Sequence, residues 1–159
     1  MKSPGMKTSH PTILFITEEE ISPGTLVKQI TLPSTGAVVF FSGIVRETSA
    51  KNEGRITKAL SYEVYQPMAE EKIHQIEKEM REKWPEVEGI AIVQRVGTME
   101  AGTTTTIVAC SSAHRDSGVF EAARYGIDRL KEIVPVWKKE ISPEGDTWVE
   151  GHYHPRPGE

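Results

Sequence analysis

With one cysteine in 159 residues, Cys110, the chain can form no internal disulfide and no multi-cysteine zinc site, as expected for a reducing compartment. Any sulfur chemistry must draw its sulfur from elsewhere. Long apolar runs are also missing. The longest, around Ala37 to Phe41, falls far short of the roughly 20 residues that a membrane span needs. The N-terminus has no apolar signal-peptide core, because Ile13 to Ile16 is followed almost at once by Glu18, Glu19 and Glu20. The expectation is a soluble, cytoplasmic protein with a short disordered start over residues 1–11. There is no basic surplus either: a net charge of −4 argues against general nucleic-acid binding, so any anion site must be local. The P-loop, the G-x-G-x-x-G turn after a strand and the G-x-S-x-G elbow are absent as well, which removes most of the weight from nucleotide hydrolysis and serine-hydrolase chemistry.

What remains is an ordinary globular composition, 37% apolar and 26% charged, with no internal repeat and no linker rich enough to divide it. The expected organisation is one domain over 12–153 and a C-terminal tail over 154–159. Thr12 to Thr17 reads as a strand. Ser22-Pro23 then gives an N-cap and a proline at the first helical position of a short helix ending near Ile30. Ala37 to Val45 and Ile56 to Tyr65 are β-rich runs around a polar loop, Glu47 to Arg55. Ala69, Ile73, Ile76 and Met80 fall at helical spacing between Pro67 and Lys83. Gly89 to Val96 and Thr103 to Ser111 are β-branched runs joined by MEAG, hence a hairpin, and a second main helix is expected from about Ser117 to Val134. Val136 to Ile141 and Thr147 to Tyr153 flank the turn signal Pro143-Glu144-Gly145-Asp146. The class is therefore α+β, a single domain with a mixed, mostly antiparallel sheet and two main helices.

Three segments set cations beside apolar structure: GIVRE at Gly43 to Glu47, SAHRDSG at Ser112 to Gly118 and LKEIVPVWKKE at Leu130 to Glu140. Arg46 ends a strand, where its planar fork suits a phosphate or carboxylate; a plain surface arginine is the bland reading. His114 and Arg115 precede a helix whose free N–H groups, capped by Asp116 or Ser117, favour an anion; a helix-entry pair bonded to nearby backbone is the bland one. Lys131 sits at the edge of an apolar stripe formed by Phe120, Ala123, Ile127, Leu130 and Val134, where it could snorkel harmlessly or be desolvated with a lowered pKa. Lys138 follows seven residues later, beyond Pro135 and beside Trp137. Cys110, in a Val/Ile/Thr-rich strand, reads as a small buried residue rather than a nucleophile. His152 and His154 lack acidic or cysteine neighbours, so no metal is expected.

Taken in order, FFSGIVRE, SAHRDSG and LKEIVPVWKKEISPEGDTWVE resemble the MoaE family, the large catalytic subunits of molybdopterin synthases, over about Ala37 to Glu150. The most specific part is Lys131 to Trp148, where two lysines bracket Pro-x-Trp ahead of PEGD-x-W. The resemblance implies an α/β hammerhead-like fold and a homodimer of catalytic subunits. It also implies a small ubiquitin-like sulfur-carrier subunit (MoaD-like) at each end, completing a heterotetramer. That partner threads a thiocarboxylated C-terminal glycine tail into a pocket, and cyclic pyranopterin monophosphate receives the sulfur. By similarity, Lys131 and Lys138 are the catalytic residues, and Arg46, His114 and Arg115 hold the substrate's phosphate and pterin. No cofactor is implied. Two other functions compete with this one: a small acylphosphatase-like phosphohydrolase, because a strand-end arginine also grips phosphate, and a non-catalytic adaptor for a ubiquitin-like protein.

Overall fold

The computed structural model describes residues 10–47, 59–143, 145–149 and 153–159. Residues 1–9, most of the loop expected over Glu47 to Arg55, and His152 lie outside the described residues. The elements run β1 (Thr12–Thr17), α1 (Pro23–Gln29), β2 (Ala37–Ile44), β3 (Ala59–Val64), α2 (Gln66–Lys83), β4 (Ile90–Arg95), β5 (Gly97–Glu100), β6 (Thr104–Ser112), α3 (Val119–Ile133), β7 (Val136–Ile141) and β8 (Thr147–Val149).

Two four-stranded sheets form where one was expected, in the orders β1-β4-β6-β2 and β5-β3-β7-β8. Only the β1–β4 pair is parallel among the described strands; every other pairing is antiparallel. The first sheet is covered on both faces. Ile90 and Ile92 of β4, with Val108 and Cys110 of β6, meet α2 and α3, while Ala91, Val93, Ile107 and Ala109 meet α1 through Leu26 and Ile30. Burial on both faces explains why β4 reads as an unbroken apolar run rather than an alternating one. Helix α1 starts as its sequence dictates: the Ser22 hydroxyl accepts the Thr25 N–H at 3.4 Å and Pro23 opens the first turn.

Gly126 shows how tightly α3 lies on this sheet, since a Cβ there would come within 2.8 Å of Val108 Cγ1 and 3.0 Å of Met80 Sδ. The helix buries Val119, Ala122, Ala123, Gly126, Ile127, Leu130 and Ile133, whereas Phe120 is 60% exposed. The stripe is thus centred on Val119, and Phe120 does not belong to it. At 100° per residue, Lys131 stands about 120° from Val119, further round the helix than its place at the stripe's edge implied.

Three further local readings change. The turn expected at MEAG is half strand, because β5 runs through Glu100 and buries Met99 in the core of the second sheet. The hairpin nonetheless forms, β4 pairing antiparallel with β6. The entry to α3 is capped by neither Asp116 nor Ser117: the N-cap is Gly118 at φ 92°, with no side-chain cap. Trp84 packs so closely there that a Cβ on Gly118 would lie 2.5 Å from its ring. Finally, β2 is an edge strand, and its apolar residues Phe40, Phe41 and Ile44 are exposed rather than buried ahead of Arg46.

Candidate active site

The join between the two sheets positions the site. At Gly43/Ile44 the β2–β6 register slips, Gly43 pairing with Thr106 and Ile44 with Thr104, so Thr105 is left as the extra residue of a bulge. Its hydroxyl donates to the Gly43 carbonyl at 3.2 Å, close to the phenol of Tyr62 on β3. Beyond the bulge the chain turns into the second sheet, burying Val45 beside Tyr62 and Met99 and leaving Arg46 exposed. The Arg46 charge reaches the Tyr62 phenol, whose pKa burial raises and which Arg46 pulls back down.

Tyr62 is paired across the ladder with Lys138 of β7, whose Nζ lies 5.5 Å from the centroid of the Tyr62 ring. Lys138 in turn borders a narrow cavity of about 20 Å³, lined by Gln94, Leu130, Lys131, Val134, Val136 and Tyr153. That volume holds little more than one water molecule. Lys131 is half-buried in it even though helix-on-sheet packing alone would leave that flank of α3 to solvent. The turn through Pro135 brings β7 back over the flank, and Tyr153 closes it from the C-terminal side.

Electrostatics follow from this enclosure. Burial pushes the Lys131 amine down to about 8, and the neighbouring charge of Lys138 and a hydrogen bond with it act in the same direction. An amine with that value is about one-tenth unprotonated at pH 7, far more than an ordinary lysine, and can act as a base or a nucleophile. Below it, Gln94 makes a rigid floor: its amide nitrogen donates to the carbonyls of Arg95 at 2.8 Å and Thr105 at 3.2 Å, and its oxygen accepts from Thr106 at 3.0 Å.

Lys131, Lys138 and Arg46 therefore gather around Tyr62 and the cavity. His114 and Arg115 do not. Both are exposed in the turn between β6 and α3, and Lys131 lies in the last turn of that helix, so about 18 Å of helix separates the two groups. Cys110 is fully buried, and burial pushes its thiol up to about 12, so it stays protonated and unreactive. Sequence reasoning missed Tyr62, Gln94 and Tyr153. Nothing in their local segments marks them, since Gln94 and Tyr153 come to the cavity from β4 and the C-terminal stretch, and Tyr62 comes to Lys138 from β3.

The C-terminal segment is fastened as well as present. The His154 N–H donates to the Glu132 carbonyl at 2.9 Å, Arg156 pairs with Glu132 at 3.4 Å, and Glu159 pairs with buried Arg129 at 2.6 Å. Arg129 also holds Glu79 of α2 at 2.9 Å, so one guanidinium ties α2, α3 and this segment together.

A small α+β domain with two sheets meeting at a bulge is a fold seen in solved proteins. The family model described as "MoaE protein" matches residues 16–133, and the chain belongs to this family. The molybdopterin synthase catalytic subunit of Halalkalibacterium halodurans is 42% identical over 134 residues, which is 84% of this chain and 83% of that one. The crystal structure of molybdopterin synthase from Staphylococcus aureus superposes with a TM-score of 0.76 at 38% identity, covering 90% of this chain and 98% of that chain. A complex of subunits 1 and 2 of the molybdopterin-converting factor from Helicobacter pylori shares the fold, with a TM-score of 0.72 at 18% identity over 91% of this chain and 95% of that one. Arg46, His114, Arg115 and Lys131 fall inside the matched family span, and Lys138 lies just beyond it.

Proposed function

We propose that the chain is the catalytic subunit of a molybdopterin synthase. It takes sulfur from the thiocarboxylated C-terminus of a small ubiquitin-like subunit and gives it to cyclic pyranopterin monophosphate, forming the dithiolene of molybdopterin. The observation that carries this reading is the Lys131 amine, pushed down to about 8 in a cavity it shares with Lys138. A passive adaptor has no use for an unprotonated lysine.

The chemistry is an acyl transfer. In each of two rounds, one per dithiolene sulfur, the thiocarboxylate sulfur attacks a side-chain carbon of the precursor and a carbon–oxygen bond there breaks, the oxygen leaving on the phosphate or as water, so that the sulfur becomes bonded to both the acyl carbon and the pterin. The acyl–sulfur bond then breaks, water or transiently the Lys131 amine takes the acyl group, and sulfur remains on the pterin. Lys131 supplies the base or the acceptor, and the Lys138 ammonium stabilises charge developing on the acyl oxygen. A cavity of about 20 Å³ suits the last atoms of a glycine tail but not a bicyclic ring, so the pterin sits outside it. Arg46, whose charge reaches Tyr62, supplies a cation for the substrate's phosphate.

His114 and Arg115 belong to a site completed by a second copy. A two-fold dimer sets one patch of each chain against the other, which brings these residues to the lysine pocket of the neighbour. The working assembly is then a homodimer core with a small subunit at each end. Among the described residues no helix is long and apolar enough to cross a membrane, and the reaction belongs in the cytoplasm, where thiols and thiocarboxylates persist. The test is direct: supply thiocarboxylated small subunit and precursor, and look for dithiolene product. Formation of product only when all three components are present supports the reading; turnover of acyl phosphate by the isolated chain instead would replace it with a phosphohydrolase.

A further inference from the structure

We propose that Tyr62 is a positioning residue for the reaction: its ring face holds the Lys138 ammonium at the cavity mouth, which fixes where the positive charge of the lysine pair resides. The inference rests on the reading of Lys131 and Lys138 as the reacting pair. Tyr62 and Lys138 are direct cross-strand partners, so their side chains leave the same face of the second sheet, and Nζ lies 5.5 Å from the ring centroid. A cation over an aromatic face at that distance is attracted by the ring quadrupole, more strongly where water is excluded. Tyr62 is itself only 6% exposed and packs with Val45 and Met99, which holds the ring in place.

The consequence concerns the two amines together. Lys131 and Lys138 line the same narrow cavity, where two ammonium ions repel each other, so the pair favours one charged and one neutral member. The ring favours the charged form of Lys138 and leaves the neutral form to Lys131. Among the described residues the other titratable or charged groups around the pair are Tyr153 from the C-terminal segment, Arg46 beyond β2, and Glu140 two residues along β7 on the same face. Arg46 does not favour an ammonium. The Tyr153 phenol and the Glu140 carboxylate can do so without the ring, so their contributions are separable from it by changing the ring alone.

The test follows the Lys131 side chain by NMR of its Cε and Nζ, assigned through Lys131→Arg, in the folded full chain without substrate or partner. Tyr62→Phe, which keeps the ring, should leave the Lys131 midpoint near its wild-type value. Tyr62→Leu should raise it by about one pH unit, the size of a desolvated cation–π contact, and the pH profile of sulfur transfer should move upward with it. The shift should vanish when Tyr62→Leu is made in a Lys138→Met background, because the ring acts through Lys138. If Tyr62→Leu does not fold, fluorinated phenylalanines at position 62 weaken the ring face without changing its shape, and the midpoint should climb as fluorines are added. An unchanged midpoint across these variants, or an equal shift with and without Lys138, overturns the inference. Failure of the sulfur-transfer reading would appear separately, as normal turnover by Lys131→Ala.

Discussion

Lys131 and Lys138 line the same narrow cavity, although one leaves the last turn of α3 and the other the middle of β7. Two ammonium ions so confined repel each other, which favours one charged member and one neutral member as the pair titrates. That split supplies a base and a cation from a single residue type. Much of the expected behaviour of the protein follows from it.

Lys131→Ala should nearly abolish sulfur transfer while the fold survives, because the amine stands on the flank of α3 and not among the buried residues of its stripe. Lys138→Ala should lower the rate less severely. In the wild type, turnover should rise through about pH 8 as the Lys131 amine loses its proton. Rates measured with saturating small subunit across pH 6 to 10 check all three statements; a pH-independent rate with an active Lys131→Ala removes this lysine from the mechanism.

The same lysine should weaken the fold. Its folded pKa lies below the ordinary value of 10.5, so below about pH 8 both folded and unfolded chains carry the proton and the folded state bears the full burden of burying a charge. Between about pH 8 and 10.5 the unfolded chain binds more protons, and stability from this group increases with pH. Lys131→Met should therefore stabilise the protein at pH 7 by about 1–2 kcal/mol, after allowance for partial exposure, and flatten that increase. Urea denaturation at pH 7 and pH 10 would measure it.

Cys110→Ser should keep substantial activity, because the sulfur arrives on the partner's tail and the buried thiol, pushed up to about 12, forms no thiolate at working pH. Stability should fall by about 1–3 kcal/mol, since a hydroxyl replaces sulfur among the fully buried apolar residues of the main core. A folded but inactive serine variant would point to a cysteine relay instead.

Arg129→Ala should be among the most damaging single substitutions, by about 3–5 kcal/mol, because it strands Glu79 and frees the segment that ends in Glu159. Glu159→Gln should be milder. Its carboxyl is held down to about 2 by the Arg129 guanidinium, so this clasp is complete at neutral pH and is lost only as pH falls through that value. Limited proteolysis of residues 153–159 as a function of pH would follow the release.

Subunit exchange tests the shared site. A His114→Ala/Arg115→Ala variant and a Lys131→Ala variant, each inactive alone, should restore about 25% of wild-type activity when mixed: half of a random mixture is mixed dimer, and each mixed dimer carries one intact site. Confirmed exchange by mass without recovered activity would mean that each chain builds its own site.

The sequence by itself determined most of the elements and marked the candidate cations. Helix α1 begins where Ser22 and Pro23 require, α2 buries Ala69, Ile73, Ile76 and Met80 at the spacing that marks them, and β7 and β8 form the hairpin that Pro143 and Gly145 announce. These are local rules of capping, periodicity and turn chemistry, which need no partner to be read. The tertiary structure decided the rest. It split the strands into two sheets and left Phe120 exposed, because pairing and coverage depend on elements distant in the chain. It placed Gln94 and Tyr153 around Lys131 and Tyr62 against Lys138, and it kept His114 and Arg115 at the far end of α3. Above all, it lowered the Lys131 amine, since desolvation is set by what closes over a side chain and not by the residues beside it in sequence.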